Sequence, residues 1–169
     1  MSETKIENDN IASDAAIAIS KLANASGQAW RTATLNINVG ATTRLDVPLT
    51  AGSNNKVNIT HSTSTNPERM TVSIAGVYRV TYMATFTDST AGFLPVITIW
   101  KNTSEIAESF RDTGSPAGYY VNLTGTCLVT LAANDYIKMS VASNRPTTEV
   151  IVASNYSTIC AMVTMELVG

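Results

Sequence analysis

One histidine and two cysteines are all that this 169-residue chain offers of the commonest metal ligands and nucleophile partners. The histidine, His61, lies in a Thr/Ser-rich stretch. Neither a Gly-x-Ser-x-Gly elbow nor a His-Glu-x-x-His pair accompanies it, so those hydrolase chemistries have no support. Acidic residues are scattered. Glu105 and Glu108 flank Ile106-Ala107 and read as a solvated strand edge rather than an acid/base pair. Clustered Cys/His ligands and an Asp-x-Asp-x-Asp loop are both missing, which removes the common zinc and calcium frameworks. Asp112, beside a Gly-rich loop, is the one residue that could join a cation site shared between subunits. The chain is therefore read as non-enzymatic, without catalytic residues, cofactor or bound metal.

Charge is equally sparse. Eleven Lys and Arg against thirteen Asp and Glu leave a net charge of −2. Without a basic stripe, nucleic acid is excluded as a partner. No apolar run approaches the roughly 18 residues of a membrane-spanning helix, so no membrane is implied. Residues 1–10 are polar and acidic with no apolar stretch after them, and no secretory leader is expected. Cys127 and Cys160 both fall in predicted strands. Buried free thiols are the simpler reading, and a bridge between them stays open.

What the chain has instead is Ser, Thr and Asn, together about a third of its residues. A surface of hydroxyls and amides suits a rigid, loop-rich β protein, and an apolar content of 44% is too high for disorder. The five Asn-x-Ser/Thr triplets, at Asn24, Asn58, Asn102, Asn122 and Asn155, follow from that composition and are read as accidental.

The organising stretch is residues 69–86. Tyr78, Val80, Tyr82, Ala84 and Phe86 alternate with Arg79, Thr81, Met83 and Thr85, a period of two that predicts a strand with one face on a core. Further strands are predicted over 33–39, 44–49 (demoted to an edge by Pro48), 57–59, 95–101, 106–110, 119–131, 137–141 and 150–152. Asn102-Thr103 reads as a tight turn. The last strand, 157–168, is apolar on both sides: Ile159, Ala161, Val163, Met165 and Leu167 on one, Cys160 and Met162 on the other. A sandwich buries one face of each sheet, so the second face calls for cover by another copy of the protein. Phe93, Tyr119 and Tyr120 border predicted loops and are candidate recognition residues.

Ahead of the strands, residues 1–10 read as an arm and 11–27 as a short helix capped by Ser13 and stopped at Gly27. Ile11, Ala15, Ala18 and Leu22 form a heptad-like seam, too short to be stable alone and so in need of a partner. The predicted organisation is an arm and helix over 1–29 and an all-β head over 30–169.

Four phrases give the head a family likeness. Ala75-Gly76-Val77-Tyr78-Arg79-Val80-Thr81-Tyr82 resembles the Gly-x-Tyr-x-x-x-Tyr strand of the C1q and tumour-necrosis-factor superfamily. Ile99-Trp100-Lys101-Asn102 resembles its strand ending in Lys-Asn. Leu131-Ala132-Ala133-Asn134-Asp135-Tyr136-Ile137 resembles its Leu-x-x-Gly-Asp-x-Val element, with Asn134 for the glycine. Ser157-Thr158-Ile159-Cys160-Ala161-Met162-Val163 resembles its closing strand, with Ile159 and Ala161 for an aromatic and a glycine. The resemblance covers residues 69–169 and implies an antiparallel jelly-roll β-sandwich that assembles as a homotrimer. Its candidate interface is Thr81, Met83, Tyr136, Ile159, Cys160, Ala161, Met162 and Val163.

The segment from Ile11 to Ala23 is similar to attachment phrases of tailed-phage fibre proteins. That likeness implies a bacteriophage virion protein, made in the host cytoplasm and displayed on the virion surface. It would be a trimeric knob anchored to capsid or tail proteins through Ile11, Ala15, Ala18 and Leu22. The alternative is an adhesin module that binds a host-surface receptor or glycan through Phe93, Tyr119 and Tyr120.

Overall fold

The computed structural model describes residues 24–37, 43–52, 56–110, 116–145, 149–151 and 158–169. Thirteen strands appear in it: β1 (Ser26–Arg31), β2 (Leu35–Ile37), β3 (Leu45–Asp46), β4 (Ala51–Gly52), β5 (Ile59–Thr60), β6 (Arg69–Val72), β7 (Gly76–Thr87), β8 (Pro95–Lys101), β9 (Ser104–Phe110), β10 (Val121–Leu131), β11 (Tyr136–Ser143), β12 (Glu149–Ile151) and β13 (Ala161–Leu167).

They form two antiparallel sheets. The seven-stranded sheet runs β2-β12-β7-β13-β1-β4, with β10 on the other edge of β7; the six-stranded sheet runs β5-β6-β11-β8-β9, with β3 also on β11. β7 is the spine of the larger sheet. Along one edge it pairs with β10 from Gly76↔Leu131 to Phe86↔Val121. Along the other it pairs with β13 and then β12. β11 plays the same part opposite, taking β8 on one edge and β6 and β3 on the other.

The alternation in β7 does what its period predicts. Tyr78, Val80, Tyr82, Ala84 and Phe86 are all buried, and they meet Met70, Val72, Ile97, Ile99, Ile137 and Met139 from the facing sheet. Tyr78 keeps its hydroxyl satisfied by donating to the Ile74 carbonyl at 2.7 Å, and burial pushes its pKa up. β10 and β13 add Val121, Val129, Leu131, Ala161, Val163 and Met165 to the same layer.

Three expectations are corrected by the fold. The predicted helix over 11–27 does not reach Gly27, because β1 starts at Ser26. Ala25, Gly27 and Ala29 are buried at a spacing of two, and β1 pairs with β13 from Ser26↔Glu166 to Arg31↔Ala161. A Cβ on Gly27 would come within 3.2 Å of Lys56 and 3.3 Å of Ile59, so the small side chain serves sheet packing rather than helix termination. Residues 1–23, with the seam Ile11, Ala15, Ala18 and Leu22, lie outside the described residues. The edge run predicted over 44–49 shrinks to β3, after which the Val47 and Leu49 amides bond to the Met139 and Pro67 carbonyls. Pro48, between them, has no amide to give. Phe93, read as a loop-border recognition residue, is wholly buried in the core.

The thiols are both free: Cys127 is half-buried and Cys160 buried. Burial raises the pKa of each. Cys160 Sγ lies 3.2 Å from both the Arg31 and Ala33 carbonyls, which gives its S–H an acceptor inside the chain.

Candidate functional site

Two regions of the surface stand out, one on each sheet. On the seven-stranded sheet the outward side chains of β10, β7, β13 and β1 fall into rows set by register. One row is Thr124, Met83, Met162 and Trp30; the next is Thr126, Thr81, Thr164 and Gln28; the third is Leu128, Arg79, Glu166 and Ser26. Thr81 and Thr126 hydroxyls hydrogen-bond at 3.1 Å. Among the described residues, the one ion pair within these rows is Arg79–Glu166 at 3.4 Å, and both side chains are more than half exposed, so it contributes little. Leu128, at 66% exposure, is among the most exposed large apolar side chains described. A face whose rows carry mostly threonine, methionine, leucine and tryptophan, with one weak ion pair, resembles an interface core more than a solvated sheet.

The candidate interface set divides across this face. Thr81 is exposed and Met83, Ile159 and Met162 are half-buried, so each can meet a neighbour. Cys160, Ala161 and Val163 cannot, because their own chain buries them to 1% exposure or less. The apolar second side of the last strand is thus smaller than its sequence suggests: Cys160 turns into the chain, and Met162 with Thr164 makes up the remainder. Tyr136 sits at the start of β11, on the other sheet, away from these rows.

The second region lies where β5, β6 and β11 end. There the chain forms a cleft of about 380 Å³. Residues 60–71 supply one wall, with His61, Ser62, Thr65, Asn66 and Arg69 on it; Asn134 and Tyr136 close the other side. No aliphatic side chain lines it. Two tight turns shape the rim, with Asn66 at φ 48° and Asn134 at φ 73° in the left-handed region. Asparagine tolerates that region better than other residues with a side chain, which is why Asn134 can stand at a glycine position of the Leu-x-x-Gly-Asp element.

Behind Asn134, Asp135 locks the turn. Its carboxylate accepts from Asn102 Nδ2 at 2.7 Å and from the Ala132 amide at 2.8 Å, and it pairs with Lys101 at 3.0 Å. These bonds, Asn102's the largest contribution and Ala132's next, hold its pKa down at about 2. Asn102, itself at φ 52°, returns the contact by accepting from the Tyr136 amide at 3.0 Å. Arg69 rests on the Tyr136 ring, 4.5 Å from guanidinium carbon to ring centre.

His61 belongs to the cleft but not to a catalytic site. Its two ring nitrogens lie 3.0 Å from the Leu49 and Arg69 carbonyls. A neutral ring donates to one of these and a charged ring to both, so the histidine is a brace between β6 and the segment after β3. Glu108 is tied to Arg44 at 2.9 Å, in keeping with its reading as an edge residue. Asp112 lies outside the described residues. Among the described residues no group of three or more His, Cys, Asp or Glu is placed to hold a metal ion.

Of the loop aromatics, Tyr119 and Tyr120 are exposed at 66% and 47% and precede β10. They remain available to a partner, whereas Phe93 does not. The cleft itself was missed from sequence. Its one legible trace is the Asn134-Asp135-Tyr136 element, which is contiguous; the rest comes from residues 60–71, read as a strand end and a loop.

No protein-family profile and no curated protein matches the sequence. Solved structures do. An Eiger TNF from S. frugiperda aligns at 12% identity and a TM-score of 0.55, covering 86% of this chain and 92% of that one. Murine APRIL aligns at 11% and 0.57, covering 86% of this chain and 100% of its own. The globular domain of the zebrafish complement 1qA protein aligns at 16% and 0.57, covering 86% and 98%. The chain thus has a C1q/TNF-like jelly-roll fold. The same likeness overturns the bacteriophage reading, with its capsid, head-fibre and tail-fibre roles: the structures it resembles are an insect TNF, a mouse APRIL and a fish complement domain.

Proposed function

We propose that the protein is a non-enzymatic recognition module that assembles as a homotrimer and binds a receptor or glycan through exposed loops and rims. The observation that carries the reading is the outward face of the seven-stranded sheet. Its rows around Met83, Met162, Thr81 and Leu128 are apolar or hydroxyl-bearing, with one weak ion pair. Covering such a face with copies of the same chain removes apolar surface from water without burying unpaired charge. What supports three copies rather than two is the C1q and tumour-necrosis-factor resemblance of residues 69–169, a superfamily that assembles in threes. Tyr119 and Tyr120 then project from the head as amphipathic anchors, and the cleft beside Arg69 and Tyr136 offers a second, polar contact.

Light scattering on the purified chain tests the assembly: a mass near three times 18.0 kDa is expected, and a monomer across the micromolar range sinks it. Binding to an array of glycans and cell-surface ectodomains tests recognition. Any specific ligand should bind more weakly after Tyr119→Ala, Tyr120→Ala or a cleft substitution, and one insensitive to all of these would place recognition elsewhere.

A further inference from the structure

We propose that the cleft between residues 60–71 and the Asn134–Tyr136 turn is a binding site for a carboxylated sugar, a hexuronic acid unit of a glycan chain. The inference deepens the recognition reading and does not depend on the trimer. A volume of about 380 Å³ holds one to two sugar rings. The walls carry hydroxyls and amides and no aliphatic group, which selects against an apolar ligand and matches a polyol.

The charge is placed for a carboxylate. Arg69 is the one permanently charged side chain lining the cleft. Its guanidinium carbon lies over the Tyr136 ring, 4.5 Å from the ring centre. Its Nε is 3.0 Å from Glu68 Oε1, without the alignment of a hydrogen bond. No hydrogen bond of its two terminal nitrogens is found among the described residues. A guanidinium with that pair free offers the planar fork that fits a carboxylate with two parallel bonds.

The frame is pre-set rather than adaptable. The His61 ring sits between the Leu49 and Arg69 carbonyls, 3.0 Å from each, the Arg69 amide donates to the Asn66 carbonyl at 3.0 Å, and the Asn134 amide donates to the Val72 carbonyl at 2.8 Å. Ordering costs on binding are correspondingly small. Glu68 works against an anion, so removing its charge should help a uronate while leaving a neutral sugar unaffected.

Isothermal titration and amide-resonance mapping of the full chain test the site. The probes are an unsulfated hyaluronan tetrasaccharide, the neutral, fully N-acetylated chitotetraose and inorganic phosphate. The hyaluronan probe should bind with a Kd of about 0.1–3 mM, shifting resonances of residues 60–71 and 134–136. Chitotetraose should bind at least roughly tenfold more weakly, and Arg69→Gln should weaken the uronate by roughly 10- to 100-fold. Glu68→Gln should tighten it by about threefold. If Arg69→Gln fails to fold, Tyr136→Phe and Asn134→Gly each keep the frame and should weaken binding by roughly three- to tenfold.

Equal binding of chitotetraose, indifference to Arg69→Gln in a folded variant, or no binding at about 10 mM overturns the proposal. So does phosphate bound more tightly than the tetrasaccharide, which would make the cleft an oxyanion pocket. A trimer that ignores uronate sinks the cleft alone; a monomer that binds it sinks the homotrimer alone.

Discussion

The outward face of the seven-stranded sheet and the turn end of the six-stranded sheet are built on opposite principles. On the first, register alone sets the neighbours: Met83 lies between Thr124 and Met162, and Thr81 between Thr126 and Thr164. Side-chain ties there run between immediate neighbours, as in the Thr81–Thr126 hydroxyl pair at 3.1 Å. On the second, nearly every residue is pinned. Asp135 takes three partners, His61 two carbonyls, Asn102 bonds at both ends of its amide, and Asn134 and Asn66 hold left-handed backbone. A face made of repeats tolerates substitution in the folded chain and shows its purpose only when another surface meets it. A pinned turn pays in stability for any change, and what it secures is the placement of groups around a cleft.

That contrast can be broken by mutation, and the pinned end should give the larger effects. Asp135→Ala strands Asn102 Nδ2 and the Ala132 amide and should cost about 1.5–3 kcal/mol in denaturant titration. Asn134→Ala forces an ordinary side chain into the left-handed region and should cost about 1–2 kcal/mol, whereas Asn134→Gly should stay near zero. If alanine and glycine behave alike there, the turn is not under the conformational demand described. Acid titration sharpens the same point. The folded pKa of Asp135, about 2, lies below its ordinary 3.8. Its contribution is therefore complete above 3.8 and is lost as pH falls through that value towards 2. Asp135→Asn should flatten that part of the acid limb, and an unchanged limb would remove Asp135 from the account.

The repeated face should answer in the other way. Met83→Lys should alter the stability of the chain by less than about 0.5 kcal/mol at concentrations where it is monomeric. It should still lower the mass in solution from near three copies of 18.0 kDa towards one. A chain unfolded by this change would show that the face belongs to the core; a trimer that survives it would show that copies meet elsewhere.

The long alternating stretches are legible in the sequence. β7 and β10 have periods of two over about ten residues, where no helix competes, and Asn102-Thr103 was a visible turn. Ambiguity began where small residues satisfied two periods at once. Ala25 fits a helical seam and also alternates with Gly27 and Ala29, and only the ladder to β13 decides for strand. Phe93 sat beside a loop signal, and pattern cannot tell a rim aromatic from one folded inward. Cys160 looked like the start of an apolar outer flank, but its thiol faces the Arg31 and Ala33 carbonyls of its own chain.

From its residues alone the chain reads as carrying an all-β head with one long aromatic-faced spine and a surface rich in hydroxyls. Those properties are carried by spacing within one strand at a time. Which flank of the last strand stays open, and that His61, Arg69, Asn134 and Tyr136 share one cleft, emerge only once the strands are paired. Both depend on which strands lie side by side, and β6 meets β11 through hydrogen bonds between segments that are far apart along the chain.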